Sequence, residues 1–216
     1  MSELRPDTAN HRALFPLMLK LAGRRALVAG AGSVAESKIE PLLRSGAQVR
    51  VVAPRATPRI LRWAGAGAIA FDPRPFRADD LRGIFVVIVA TSSPDVNHTV
   101  AALARQSNVL CNVVDDPDYC DFYFPAVVRR GDLQIAISTA GQSPAMAQQL
   151  RQQLEAQFGP EYEDLVSAIG RERRSVLAAE APGEARKQRL HDLAAQALGR
   201  QRGSGLHLVR KREEAG

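Results

Sequence analysis

The chain is 216 residues long yet holds only two cysteines, one tryptophan and three tyrosines, and each scarcity removes a class of function. Cys111 and Cys120 stand nine positions apart, without CxxC spacing or a neighbouring histidine cluster, which argues against a zinc site or a disulfide framework. The few aromatic residues are not interleaved with a Lys/Arg stripe, so stacking platforms for nucleic acid are lacking. The longest apolar runs, such as "IFVVIVA" from Ile84 to Ala90, fall far short of the roughly 20 residues that cross a bilayer. The opening "MSELRPDTANHR" has no signal-peptide core. The expectation is a cytoplasmic protein with neither nucleic-acid nor membrane partners and no metal site. No internal repeat is visible.

What is present is a chain apolar enough for one sizeable core, with 45% hydrophobic residues. Its 29 Lys and Arg against 23 Asp and Glu leave a formal charge of +6, which favours acidic partners, including a small ligand rich in carboxylates or phosphates. From Arg25 to about Val114, short β-branched runs alternate with helical patterns. "RALVAG", "QVRVVAP", "AIAFDP", "IFVVIVATS" and "VLCNVV" read as strands, apolar on both faces, separated by helix-like segments. In the first helix Ala35, Ile39, Leu42 and Leu43 share one face and Gly46 ends it. After Pro125 the alternation in "FPAVVRRGDLQIAISTAG" suits two antiparallel strands joined at Arg130, Gly131 and Asp132. Such a ribbon is marginal alone and calls for a partner, for which a second copy of the chain is a candidate. The predicted fold is therefore α/β: a Rossmann-type parallel sheet over 1–115, a small β-ribbon dimerisation region over 116–145 and a helical C-terminal domain over 146–200. A mobile basic tail is expected over 201–216.

"VAGAGSVA", Val28 to Ala35, matches G-x-G-x-x-A with Gly30, Gly32 and Ala35 at the junction of the first strand and first helix. The first glycine makes the turn, the second admits a pyrophosphate, and Ala35 lets the helix pack close, which predicts a dinucleotide site. The carboxylate expected at the end of the second strand is missing. Ala53, Pro54 and Arg55 stand there, leaving NAD and NADP both open. After the fourth strand, Thr91, Ser92 and Asn97 can bond a cofactor, while Ser93 and Pro94 read as a helix start; both readings hold together. His98, one residue further into that helix, reads as a surface or packing residue.

Asp115 and Asp116 leave the fifth strand at the same carboxyl edge. Asp116 before Pro117 reads as a turn former, and Asp115 is the candidate acid–base group. Cys111 and Cys120 read as packing residues, and Phe122, Tyr123 and Phe124 as the start of the ribbon. In "STAGQSPAMAQQLRQQLE", Ser143 caps a helix behind a turn containing Thr139, which is either an anion cradle or a plain connection.

Taken in order and spacing, "GAGSVAESK", "ATSSPDVN", "NVVDDP", "FPAVVRRGDLQIAIST" and "GQSPAMAQQLR" resemble the precorrin-2 dehydrogenase and sirohydrochlorin ferrochelatase module of siroheme synthases, from about Phe15 to Phe158. Nothing in the chain resembles the methyltransferase domain of fused siroheme synthases, so the free-standing form is expected. The resemblance implies a homodimer, interlocked through the ribbon, that oxidises precorrin-2 with NAD⁺. In bifunctional members it also implies insertion of Fe²⁺, as chelatase substrate, into sirohydrochlorin. It carries the aspartate serving both reactions onto Asp115, and cofactor contacts onto Ser33, Val34, Pro54 and Arg55. A serine phosphorylated in some members corresponds here to Thr139, and Ala31 replaces a usual glycine. A carboxylate-rich tetrapyrrole would suit Arg129 and Arg130, which also read as a solvated turn. A dehydrogenase of another small acid, a dehydrogenase-only member and a non-catalytic nucleotide-sensing module are the alternatives.

Overall fold

The structure, a computed structural model, describes residues 14–213, with side chains through 199. The polar opening segment lies outside these residues, as do residues 214–216 of the basic tail. Two compact units divide between Phe124 and Pro125.

The first unit is a five-stranded sheet of β1 (Arg25–Ala29), β2 (Gln48–Val52), β3 (Ala70–Asp72), β4 (Val86–Val89) and β5 (Leu110–Val113). Every pairing is parallel and the order is β3-β2-β1-β4-β5. That order reverses direction between β1 and β4, the switch point at which open α/β sheets take ligands. The strands are β-branched runs because both faces are covered, and all of β4 is buried. On one face α1 (Ser33–Arg44) buries Ala35, Ile39 and Leu42 against Val28, Val49 and Val51, with Leu43 packed at the margin, the face predicted from helical spacing. α2 (Pro58–Gly65), capped by Thr57, adds Ile60 to that layer. On the other face α3 (Pro94–Gln106) sets Val100, Ala101 and Ala104 on Leu27, Val87, Val89 and Val113.

The connection from β3 to β4 lacks a full helix. A short 3-10 turn, Ala78–Leu81, is held instead by the buried Asp80, whose carboxylate accepts from Arg77 N at 2.8 Å and from Arg74 Nη1 at 2.9 Å and Nη2 at 2.6 Å. The Arg74 hydrogen bonds come first among the causes that hold the Asp80 carboxyl below the usual carboxylate range.

One expectation is corrected here. Phe122 and Phe124 do not begin the ribbon but pack on the α1 side of the first unit. The physical reason is a return along β5. Asp121 N donates to Cys111 O at 2.8 Å while Cys111 N donates to Asp121 Oδ2 at 2.9 Å, and Asn112 Nδ2 donates to Phe122 O at 2.8 Å.

The second unit opens with the hairpin β6 (Ala126–Arg130) and β7 (Leu133–Ile137), antiparallel with Arg130 opposite Leu133. Gly131 takes φ +54 at the first position of the two-residue turn, where a type II′ hairpin needs it. Then come α4 (Pro144–Gln157), α5 (Glu161–Ala179) and α6 (Glu184–Glu213), the last continuing the helical region through most of the segment expected as a tail. Glu161, Glu163 and Asp164 in the first turn of α5 complement its dipole. Among the described residues of this unit the buried apolar ones are Val128, Ala147 and Val176, a thin core.

Candidate active site

The turn from β1 to α1 is Gly30, Ala31 and Gly32, and the two glycines serve different ends. Gly30 sits at φ +108, and a Cβ there would stand 2.2 Å from the Ala90 carbonyl oxygen after β4, so the fold itself demands glycine. At Gly32 φ is an ordinary −84° and a Cβ would meet nothing within 4 Å. The fold places no demand there. Gly32 is also the N-cap of α1 and supplies no side-chain cap, unlike Thr57, Ser93 and Ser143 at the starts of α2, α3 and α4. Open space in front of an uncapped helix start, at the switch point, fits a pyrophosphate: the positive end of the helix faces the space and the bare backbone allows close approach. Ser33 and Val34 follow, both exposed, while Ala35 is fully buried against the sheet.

The other predicted cofactor contacts share this carboxyl edge. Pro54 and Arg55 follow β2 and are exposed. Thr91 and Ser92 follow β4. Thr91 Oγ1 donates to Asn97 Oδ1 at 2.6 Å and accepts from Ser93 N at 3.2 Å, while Asn97 Nδ2 donates to Thr91 O at 3.3 Å. Thr91 and Asn97 thus build the loop, and Ser92 stays exposed. Ser93 caps α3 by accepting from Val96 N at 3.4 Å, as its position before Pro94 predicts.

Asp115 lies two residues past the end of β5, exposed, in a left-handed backbone conformation with φ +61. A non-glycine residue there is uncommon and is held only where its surroundings demand it, a pattern that concentrates at functional sites. The surroundings are explicit. Val114 N donates to Val89 O at 2.9 Å, and the Cys120 thiol donates to Val113 O at 3.1 Å while its sulfur accepts from Val113 N at 3.3 Å. Asp116 does more than shape the turn, since its Oδ2 lies 2.8 Å from His98 Nε2, and the His98 ring stacks on Tyr119 with centroids 4.1 Å apart. Sequence reasoning missed this pair because Asp116 and His98 are eighteen positions apart, and only the shared carboxyl edge brings α3 and the β5 loop together.

Lys38, one turn into α1, is the second group the sequence did not single out. Its Nζ lies 4.4 Å from the centre of the Phe124 ring. Burial pushes its ammonium below the ordinary lysine range, opposed by attraction to Asp115 and to Cys120. A half-buried cation is thus electrostatically linked to the candidate acid–base group. Cys111 and Cys120 are free thiols, as their packing role implies; burial first, and the Asp121 carboxylate second, push the Cys111 thiol up to about 12.

In the second unit, Arg130 spends its guanidinium on the backbone, donating from Nε to Phe158 O at 2.8 Å, from Nη2 to Glu155 O at 3.0 Å and from Nη1 to Arg129 O at 2.9 Å. Two of these carbonyls close the end of α4, so Arg130 acts as that helix's C-terminal cap. Arg129, beside it on the strand, is half-buried and opposite Gln134. Thr139 Oγ1 accepts from Ser143 N at 3.1 Å and Ser143 Oγ accepts from Met146 N at 3.2 Å, with Ala140 and Gly141 at positive φ. Both hydroxyl oxygens serve the turn and the helix start.

Residues 17–126 match a family described as putative NAD(P)-binding, and residues 130–157 match one described as sirohaem biosynthesis protein central. A siroheme synthase of Neisseria meningitidis serogroup C (strain 053442) is 42% identical over 164 residues, 76% of this chain and 34% of the relative. A siroheme synthase of Xylella fastidiosa (strain M12) is 41% identical over 182 residues, 84% of this chain and 38% of the relative. This chain thus spans about a third of the length of these relatives. Among solved structures, SirC, a precorrin-2 dehydrogenase, superposes with a TM-score of 0.69 at 25% identity, covering 86% of this chain and all of that one.

Proposed function

We propose, from the premise that this chain belongs to the siroheme synthase family of putative NAD(P)-binding modules, that it is a cytoplasmic precorrin-2 dehydrogenase using NAD⁺ and acting as a homodimer. The single observation that carries the catalytic reading is Asp115, held at φ +61 on the sheet edge where Gly32 opens the start of α1. The nicotinamide, when bound, supplies the hydride acceptor. Gly30, Gly32, Ser33 and Val34 would hold the pyrophosphate with backbone groups, and Pro54, Arg55, Thr91 and Ser92 would complete the cofactor site. The choice of NAD⁺ follows the family resemblance, since Ala53, Pro54 and Arg55 after β2 offer no carboxylate to select it over NADP⁺.

Asp115 would take the proton that leaves the macrocycle when precorrin-2 is oxidised, the accompanying hydride being what a bound nicotinamide would accept. Lys38, whose ammonium burial lowers and the Asp115 charge attracts, is the cation electrostatically linked to that carboxylate. In a bifunctional enzyme the same carboxylate accepts pyrrole N–H protons as Fe²⁺ enters sirohydrochlorin, the tetrapyrrole itself being the ligand. Arg129 is the cation of the ribbon whose side chain is not spent on a helix cap, and it suits a carboxylate of the substrate. Thr139 and Ser143 are weaker substrate contacts, since the N–H groups of Ala140, Gln142 and Ser143 are already bonded within their turn. The thin core of the second unit supports a homodimer, since a second copy would bury the half-covered Leu133, Ile135 and Ile137 of β7.

The experiment is anaerobic absorbance spectroscopy of the chain with precorrin-2 and NAD⁺ or NADP⁺, followed by Fe²⁺ or Co²⁺. NADH formation followed by a separate metal-dependent spectral change supports the bifunctional reading. The first step alone makes the chain a dehydrogenase-only member, and neither step removes the proposal.

A further inference from the structure

We propose that His98 is a positioning residue for Asp115, fastening the turn that carries it through the His98–Asp116 contact; this rests on the reading of Asp115 as the catalytic group. Asp115 itself is exposed and sits in a backbone conformation that an isolated aspartate rarely adopts, so something outside the residue must hold it there. On the chain before it the sheet does so, through Val114 N to Val89 O at 2.9 Å. On the inner side of the turn Cys120 does so, its thiol bonded to Val113 O at 3.1 Å and lying 3.3 Å from Asp116 O. The outer side is held by one side chain, His98, with Nε2 at 2.8 Å from Asp116 Oδ2 and the ring flat against Tyr119 at 12°.

His98 directly follows Asn97, and the two neighbours grip different loops. Asn97 exchanges two hydrogen bonds with Thr91 on the cofactor loop after β4. His98 grips the Asp115 loop after β5. The first two turns of α3 therefore form a rigid strut between the loop that meets the cofactor and the loop that presents the carboxylate. That strut sets the separation of hydride acceptor and proton acceptor, a distance on which turnover depends steeply while binding of either ligand does not. The helix has no need of a histidine here: Val100, Ala101 and Ala104 already bury its packing face, and the His98 side chain remains 42% exposed.

The test compares His98→Leu, His98→Gln, Asp116→Leu and Asp115→Asn in the intact chain, reading NAD⁺ affinity, melting temperature, and kcat and KM for anaerobic oxidation of precorrin-2. His98→Leu removes the polar contact at similar volume, whereas His98→Gln keeps an N–H donor at similar reach. The expected result is a fall in kcat of about tenfold to a hundredfold in His98→Leu. NAD⁺ affinity and KM stay within about twofold, and His98→Gln recovers most of the loss. The double variant with Asp116→Leu is expected to lose no more than the worse single change, because the two residues act as one contact. If Asp115→Asn is inactive while His98→Leu and Asp116→Leu turn over normally, His98 is a surface residue and the inference is overturned with the catalytic reading intact. Normal turnover of Asp115→Asn overturns both. Should His98→Leu fail to fold, Asp116→Leu and His98→Gln carry the same comparison from the other side of the contact.

Discussion

Replacing Gly32 by alanine is expected to leave the fold alone and disable the cofactor site, whereas the same change at Gly30 disables both. At Gly32 the backbone already lies where alanine is comfortable, φ −84°, and the added methyl meets nothing within 4 Å. Two small effects oppose each other: loss of unfolded-chain freedom stabilises by about 0.5 kcal/mol, and alanine is the poorer N-cap by a few tenths of a kcal/mol up to about 1 kcal/mol. The net is within about 1 kcal/mol of zero, or about 2–4 °C in melting temperature for a chain of this size. The methyl does, however, project into the space in front of α1 that the pyrophosphate needs. Holding the phosphates back from the helix start is expected to weaken NAD⁺ binding by about a hundredfold, or about 2.7 kcal/mol. At Gly30 a methyl would stand 2.2 Å from Ala90 O and 2.6 Å from Ala90 C, both backbone atoms of the adjacent strand's end, with φ +108 adding strain. That clash cannot be relieved by a rotamer, and a stability loss of several kcal/mol is expected. The assay is thermal melting alongside NAD⁺ titration for both variants. A Gly32→Ala protein that binds NAD⁺ like the parent, or melts more than about 10 °C lower, refutes the reasoning.

Asp80→Asn is expected to lower the melting temperature at neutral pH, since it removes the buried carboxylate that accepts from Arg77 N and from Arg74, while Arg74 keeps Asp72 at 3.0 Å. Because the Asp80 carboxyl is held below its unfolded value, the parent's advantage is present above about pH 4 and is lost as pH falls through the folded-state value, so denaturation midpoints of the two proteins should converge in acid. The Cys111 thiol, pushed up to about 12, binds its proton more tightly when folded; its contribution is complete below about pH 8.5 and is lost as pH rises toward 12. It should accordingly resist alkylation at pH 8 in the folded protein and react on unfolding, by mass spectrometry. Arg130→Ala should lower the melting temperature by uncapping α4, whereas Arg129→Ala should leave it unchanged and raise KM for the tetrapyrrole several-fold; the opposite pattern would reverse their roles.

The parallel sheet was legible because its strands are apolar on both faces and its helices keep a regular spacing, signals local to each segment. The glycine turn was legible for the same reason, and the structure divides its labour: Gly30 for the fold, Gly32 for the ligand. What stayed hidden depends on contacts between distant segments. Nothing around His98 announces Asp116, and nothing in "RRGD" shows that Arg130 turns back onto α4. Phe122 and Phe124 read as ribbon because they precede alternating strands, yet the Asp121–Cys111 pairing draws them onto the first unit. Lys38 hides behind a helical pattern in which a lysine is ordinarily a solvated residue.

The central claim is that Asp115 performs the chemistry while the glycine turn holds the cofactor. The most direct measurement is single-turnover formation of NADH from precorrin-2 under anaerobic conditions in the parent and in Asp115→Ala, with NAD⁺ affinity determined on the same samples. The account predicts unchanged affinity in Asp115→Ala and a turnover rate lower by at least about a hundredfold. A variant that binds NAD⁺ and forms NADH at the parental rate would contradict it.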